Sequence, residues 1–539
     1  MWSHSKSVRP LPGAHWEERL ARPHLGGNLR TLRTLALTGL MALSSPAWAG
    51  DFVDTRLSFA FADDNVFANA GETTPNSPTA RFGAGLQNTQ FYDNFNTRFS
   101  GFETLSNIVL YKKMPAFFEG LTTEAALTVL MLEQPSGGIT LRDNSSYIRL
   151  NYRPAGWNES EGLSLTGFPV SADRFRLGYA YRISWGGSGV FTTRATAAGV
   201  PGAKLQLTRD KWYAYVGAKT ALVLNDLIKE QETLYGVLGG AGWDVLETLR
   251  LEAGGGYFKK GIVPGLAALG VEAPVNSAGV SAQAAYHVGV PVGTSVDFKL
   301  YKNDPDVYQR FFSPEQYPGG LSYSVSLEGS YLVQTLSDPD VFGRTVPQQS
   351  TAVALQARAK WNYWRFHLLG LYRSLSFIQF EVPGLPPYND FPDGTQVKPE
   401  MFVAVGADYN IPALHLTPGF IIGVQQPASF RSPNPFLGGN NPPVGLTGTR
   451  TVVVRDVNTL SILPTTCGSD DAACLADPII SAKGTFRWDL SESVAAVGEV
   501  YYTYDRNRTT FRDDVLGVAQ PSFEKPNALG FNMLLQARF

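Results

Sequence analysis

Along most of this chain apolar and polar residues alternate at every second position, the pattern of β-strands with one apolar and one polar face. The clearest stretch is Arg174 to Trp185. There Phe175, Leu177, Tyr179, Tyr181, Ile183 and Trp185 fall on one face, and Arg174, Arg176, Gly178, Ala180, Arg182 and Ser184 on the other. One such strand fits a soluble sandwich as well as a barrel, and the turns decide between them. Thr351 to Asn362 turns through Tyr363 into Trp364 to Phe377. Glu400 to Ile411 turns through Pro412-Ala413 into His415 to Gln425, and Ile479 to Leu490 turns through Ser491-Glu492-Ser493 into Val494 to Asp505. Each pair predicts a tight hairpin. Between hairpins lie long links rich in Pro, Gly, Asn and Asp: Glu381 to Pro399, Pro427 to Arg450 and Arg506 to Pro526. Short turns at one end and long loops at the other are the layout of a membrane β-barrel.

The segments carrying this pattern start near Phe52 and end with the strand that begins near Asn527. Those beginning near Arg174 and Thr294 are counted among them. Lys204 to Arg209 and Leu321 to Gln334 also look extended and are set aside as irregular or extra-membrane hairpins. The expected fold is therefore all-β, a single antiparallel transmembrane barrel of about 18 strands (roughly 16–20), inside the range of about 8 to 26 for such barrels.

Composition supports this reading. Charged residues make up 17%, aromatics 12% and glycine 54 positions, yet mean hydropathy is only −0.10. After the leader no apolar run approaches the ~18 residues of a spanning helix. Short half-apolar segments can satisfy their backbone groups in lipid only by closing into a barrel.

The first segment reads as a targeting signal. Arg30 and Arg33 precede the apolar run Leu35 to Leu43, which ends in Ala47-Trp48-Ala49, an A-x-A cleavage site. Residues 1–49 are assigned to a signal peptide and residues 50–539 to the barrel with long extracellular loops. The leader holds six of the 45 Lys+Arg and two of the 47 Asp+Glu, leaving 39 against 45, a charge of −6. Nothing in that balance points to nucleic acid. With the first strand starting just after Gly50, no plug domain of the kind found in energy-coupled transporters is expected.

If the apolar faces meet lipid, the opposite faces line a lumen. The basic candidates on that phase are Arg149, Arg153, Arg174, Arg176, Arg182, Lys219, Arg250, Lys299, Arg358, Lys360, Arg365, Arg373, Lys483, Arg487 and Arg538. The acids are fewer: Glu252, Asp297, Glu328, Asp408, Asp489 and Glu499. Charge on an inner wall implies water beside it, and an excess of cations favours anionic solutes. Cross-strand pairing that merely stiffens the wall is the competing interpretation. Trp185, Trp243, Trp361, Trp364, Trp488, Tyr257, Tyr502 and Tyr504 fall near strand ends, where rings suit the headgroup level. Tyr147, Tyr213, Tyr215 and Tyr501 fall on the lumen phase, where they could stack on sugars. Asp63 to Ser100 and Pro427 to Pro478 are the candidates for a loop folded into the mouth.

Cys467 and Cys474 sit close together in a polar stretch, which in an oxidising compartment predicts a local disulfide. There is no G-x-S-x-G elbow, H-E-x-x-H helix or P-loop, so no enzyme activity is expected and no catalytic, cofactor or metal site is assigned.

The last strand adds a sharper signal. Leu529, Phe531, Met533, Leu535, Ala537 and the terminal Phe539 alternate with Gly530, Asn532, Gln536 and Arg538. In this the chain resembles Gram-negative outer-membrane β-barrels, porin-like channels among them, whose assembly machinery reads a final strand ending in Phe. The resemblance implies an outer-membrane location and, as partners, the lipid bilayer, lipopolysaccharide and the barrel-assembly machinery, with Phe539 as the assembly signal. In size and basic lumen the chain is also similar to polysaccharide-export porins of the alginate-exporter kind. That similarity implies export of an anionic exopolysaccharide, delivered by periplasmic export proteins. A general uptake porin fits the same features. So does a structural barrel anchoring a secretion, adhesion or motility machine, which would show a loop-filled lumen.

Overall fold

The computed structural model describes residues 55–63, 65–67, 81–83, 107–133, 139–178, 180, 183–187, 199–225, 230–262, 273–289, 317–380, 389–432, 448–456, 459–467, 474–513 and 519–538. The signal-peptide assignment, Arg182, Asp297, Lys299, Phe539 and most of the Asp63 to Ser100 segment lie outside the described residues, and of Arg538 only the backbone is described.

Eighteen antiparallel wall strands are present among the described residues. They are β1 (Arg56–Asp63), β2 (Asn107–Pro115), β3 (Leu121–Glu133), β4 (Tyr147–Tyr152), β5 (Gly162–Phe168) and β6 (Gly202–Thr208). Next come β7 (Trp212–Asn225), β8 (Glu230–Leu246), β9 (Leu249–Ile262), β10 (Pro274–Val288), β11 (Ser322–Ser337) and β12 (Thr345–Trp361). The last six are β13 (Trp364–Arg373), β14 (Glu400–Tyr409), β15 (Leu416–Gln426), β16 (Ile479–Asp489), β17 (Val494–Tyr504) and β18 (Asn527–Arg538). Each pairs with its neighbour in sequence. The ring nearly closes where β1 pairs with β18 from Arg56↔Arg538 to Asp63↔Phe531 and with β2 at Arg56↔Asn107.

The strand number matches the expectation, but two of its members change. Gly202–Thr208 and Ser322–Ser337, set aside from sequence, are the wall strands β6 and β11. Arg174 to Trp185 is not in the wall. The strand expected near Thr294 lies outside the described residues, and β10 pairs directly with β9 on one side and β11 on the other.

Turns at the end that holds the β1 start and the β18 finish are short, such as Asn362-Tyr363 between β12 and β13, with Asn362 at φ 52°. Asparagine accepts that left-handed geometry more readily than most side chains. The links after β13, β15 and β17 all fall at the other end, the extracellular one in barrels of this kind. One link breaks the rule in length: β10 ends and β11 begins at the short-turn end, and the chain between them runs from residue 289 to residue 321. Its described part tucks Tyr317 against Tyr363, with ring centroids 6.2 Å apart.

The two faces of the wall differ as membrane insertion requires. On β12, Val353, Leu355 and Trp361 face outward and are exposed, whereas Gln348, Ser350, Ala352 and Ala354 face inward and are buried. Trp243, Trp361, Trp364 and Trp488 ring the outside near the short turns, and Tyr235, Tyr257, Tyr331, Tyr372 and Tyr502 near the long loops. On β8 (Tyr235, Trp243) and β13 (Trp364, Tyr372) the two belts are eight residues apart. That spacing is ~27 Å along a strand at ~3.4 Å per residue, and about 21 Å after a tilt of ~40°, close to the apolar band of outer-membrane barrels. The chain is an outer-membrane-type β-barrel.

Candidate functional site

Inside the wall, the segment that follows β5 does not stay at the rim. Ala172 and Val200 join its two arms by a 2.7 Å backbone hydrogen bond. Leu177 and Trp185 then close a small hairpin, each amide donating to the other's carbonyl at 2.8 Å. Phe175, Leu177, Ile183 and Trp185 are all fully buried. This hairpin carries the alternation that sequence reading assigned to a wall strand, and Trp185 is therefore not in the outer aromatic belt. The pattern demands only that one face meet something apolar, and the inner wall supplies it.

The wall is shaped to receive the hairpin. Gly254 and Gly256 on β9 face inward, and a Cβ on either would stand 2.9 Å from a Leu177 methyl. Glycine there lets the hairpin approach the wall closely, and a side chain at either position would have to displace Leu177. Trp185 lies edge-on to Phe258, with centroids 5.8 Å apart, and donates from Nε1 to Ser281 Oγ at 2.8 Å. Within the hairpin Gly178 has φ 96°, and a Cβ on it would meet Glu328 Oε1 at 2.8 Å.

Two buried wall charges hold its backbone. Lys219 Nζ on β7 donates to the carbonyls of Ala172 (2.9 Å), Gly186 (2.8 Å) and Phe175. Three ammonium protons meet three carbonyls, which offsets much of the cost of burying the lysine. Glu328 on β11 accepts the Ala180 amide at 2.5 Å. A second inward element is the short helix α1 (Leu375–Gln379), capped by Ser374. A ladder of side chains from Gln334 through Gln348 to Gln379 ties it to the wall. Phe377 and Phe380 join the same apolar cluster as the hairpin.

Many lumen cations are matched by acids. Arg149 meets Glu124 at 2.8 Å, Arg373 meets Glu400 at 2.5 Å and Lys483 meets Glu499 at 2.9 Å. Arg487 meets Asp489 at 2.8 Å. Arg250 lies 3.4 Å from both Asp244 and Glu252, and His367 Nε2 lies 2.7 Å from Asp408. Arg174 and Arg176 belong to the hairpin, where they bond Asn144 Oδ1 at 3.2 Å and the Ser184 carbonyl at 2.9 Å. Arg153 sits in the turn after β4 and is exposed there. Arg358, Lys360 and Arg365 line the short-turn half of the lumen. The Tyr317 ring lies 4.6 Å from Lys360 and 5.7 Å from Arg365.

The lumen tyrosines have local partners. Tyr213 donates to Glu252 at 2.8 Å and covers Gly242, and Tyr501 covers Gly530 on β18. Tyr215 lies edge-on to Phe175 at 6.0 Å, and Tyr147 is buried in the apolar cluster beneath the Arg149 guanidinium. Cys467 and Cys474 form a disulfide. It borders a small sheet built from Val397–Lys398, Ala428–Ser432, Arg450–Asp456 and Thr459–Thr466 at the long-loop end. Outside the membrane band, Glu161 accepts the Asn158 and Asp210 amides and pairs with Arg209 at 3.1 Å. The Asn158 amide first, with Asp210 and Arg209, holds its carboxyl below the usual range against the opposing effect of burial.

No protein-family model matches the sequence, and no curated protein matches it. Among solved structures the chain is similar to OmpT of Vibrio cholerae, an outer-membrane protein, at 10% identity over 90% of this chain and 96% of that one, with a TM-score of 0.32. It is also similar to Wzi of Escherichia coli, described as a carbohydrate-binding β-barrel involved in Group 1 capsule assembly, at 13% identity over 96% and 90%, TM-score 0.38. A third is OprD, an outer-membrane protein of Pseudomonas aeruginosa, at 8% identity over 90% and 93%, TM-score 0.37.

Proposed function

We propose that this barrel is a narrow outer-membrane channel for small hydrophilic solutes, with anions preferred. The observation that carries the reading is the hairpin folded into the lumen and fixed there by Lys219 and Glu328. Barrels of about this strand number enclose more space than wall side chains fill, so an element that narrows the lumen sets what can pass. Arg358, Lys360 and Arg365, on the inward faces of β12 and β13, supply the cationic stretch below it.

Passage of a polysaccharide chain is less well supported than its sequence-level expectation. A polymer would have to lift the hairpin off its glycine seat and break both charged anchors. A structural barrel is the second reading, favoured by the apolar cluster that runs from Tyr147 through Phe175 and Trp185 to Phe377 and Phe402. Neither reading gives the chain a catalytic step.

Reversal potentials of the refolded chain in a planar bilayer under a salt gradient separate these possibilities. Stable conductance with anion preference supports the proposal. A folded barrel that never conducts supports the structural reading instead.

A further inference from the structure

Among the described residues the wall is lowest over β4, β5 and β6, which have 6, 7 and 7 residues against 14 to 17 for β7 to β12. Seven residues at ~3.4 Å each, tilted by ~40°, rise about 18 Å, short of the ~25 Å apolar band of such barrels. Above β5 and β6 the described chain turns into the lumen, and the apolar outer surface on this side continues at the short-turn end instead. There the turn between β2 and β3 carries Phe117, fully exposed, and Phe118, 73% exposed. The turn starts level with Tyr152 on β4, because Leu121 pairs with Tyr152 and Thr122 with Pro115.

The backbone of this turn is closed on both sides. The Ala116 amide donates to the Leu121 carbonyl at 2.9 Å, the Leu121 amide to Phe118 at 3.1 Å and the Arg153 amide to Gly120 at 2.8 Å. Gly120 has φ 78°, and a Cβ there would collide with the Arg153 carbonyl. A turn held in this way presents both rings outward from the barrel.

Two features identify what the rings meet. Leu110 and Met114 on β2 and Leu127 on β3 are exposed on the lipid side, and the rings continue that surface past its lower edge. Lys112 and Lys113 on β2 are exposed, as is Arg153, whose amide is bonded to the turn, and the turn's own acid is Glu119 alone. An apolar tip with an excess of positive charge fits a negatively charged phospholipid surface, with rings among the acyl carbons and ammonium groups at phosphate depth.

We propose that the β2–β3 turn anchors the barrel in the inner leaflet by binding anionic phospholipid. The inference goes beyond conduction, since it concerns the outer surface alone. Cys467 and Cys474 are joined and the sequence has no other cysteine, so Phe117→Cys supplies one reactive thiol for a bimane label. The labelled mature chain is placed in phosphatidylethanolamine vesicles with equal fractions of either spin-labelled phosphatidylglycerol or spin-labelled phosphatidylcholine, and iodide serves as the aqueous quencher. Strong quenching by the lipids and weak quenching by iodide are expected. Phosphatidylglycerol should be the better quencher by about fivefold, the scale of one lysine at an anionic lipid surface. Lys112→Gln with Lys113→Gln leaves Arg153 balanced by Glu119, and should bring the two lipids level while the lipid quenching is kept.

Each preparation is first shown to hold the heat-resistant barrel on a gel. Strong iodide quenching without lipid quenching places the turn in water, open to a soluble periplasmic protein, and overturns the anchor. Equal quenching by the two lipids in the presence of both lysines overturns the preference for anionic phospholipid, as does a double variant that keeps it.

Discussion

Lys219 on β7 and Glu328 on β11 bind the same hairpin, one by donating to its carbonyls and the other by accepting its Ala180 amide. Both side chains are almost completely buried, and through them two wall strands hold the backbone of one inward element.

Removing the lysine should release that backbone. Lys219→Met keeps the aliphatic stem and leaves the Ala172, Phe175 and Gly186 carbonyls without their donor. A charge-assisted bond contributes about 1.5–3 kcal/mol, so the hairpin's closed position should weaken by at least about 2 kcal/mol. Noisier and larger single-channel currents are the expected readout, with the barrel still heat-resistant on a gel.

Filling the glycine seat tests the same element from the wall side. Gly256→Val should push Leu177 out, moving Trp185 away from Phe258 and shifting tryptophan emission to the red. Gly329→Ala is the control, because its new Cβ meets nothing nearer than 4.0 Å. Emission of that control should match the unmodified chain.

Acid should loosen one turn before the barrel fails. The Glu161 carboxyl is held below its ordinary value by the Asn158 and Asp210 amides and Arg209. A depressed folded-state pKa adds stability above the unfolded value of about 4.3, and that contribution is lost as pH falls through the folded value. Melting of Glu161→Gln and the unmodified chain should differ at neutral pH and converge in acid.

The disulfide should matter to the loop end alone. For so short a loop the cross-link contributes about 2.5 kcal/mol of chain entropy. Cys467→Ser with Cys474→Ser should speed proteolysis between β15 and β16 while conductance and the heat-resistant barrel are kept.

Strand number, direction of the loops and the outer aromatic belts were legible because each depends on local periodicity and turn composition. The lumen was legible only as a phase. Which cations are paired was not legible: Glu124, Glu400 and Glu499 reach Arg149, Arg373 and Lys483 across strands, a proximity that linear spacing does not encode. The misplaced element, Arg174 to Trp185, shows why pattern alone is insufficient: lipid and a packed inner wall reward the same alternation. Two signals pointed the other way. Gly178 interrupts the stretch and Gly186 follows it, and Gly236, Gly240, Gly242, Gly254 and Gly256 crowd the inward phase of β8 and β9, where a water-filled lumen has no use for them. Such glycines mark a surface that something else approaches closely.

The most direct test of the constriction is the single-channel conductance of the refolded mature chain beside a variant in which residues 172–199 are replaced by a short Gly-Ser link. A small, stable conductance that rises severalfold in the variant is the expected result. Equal conductance in both, or none in either from barrels shown to be folded, would contradict it.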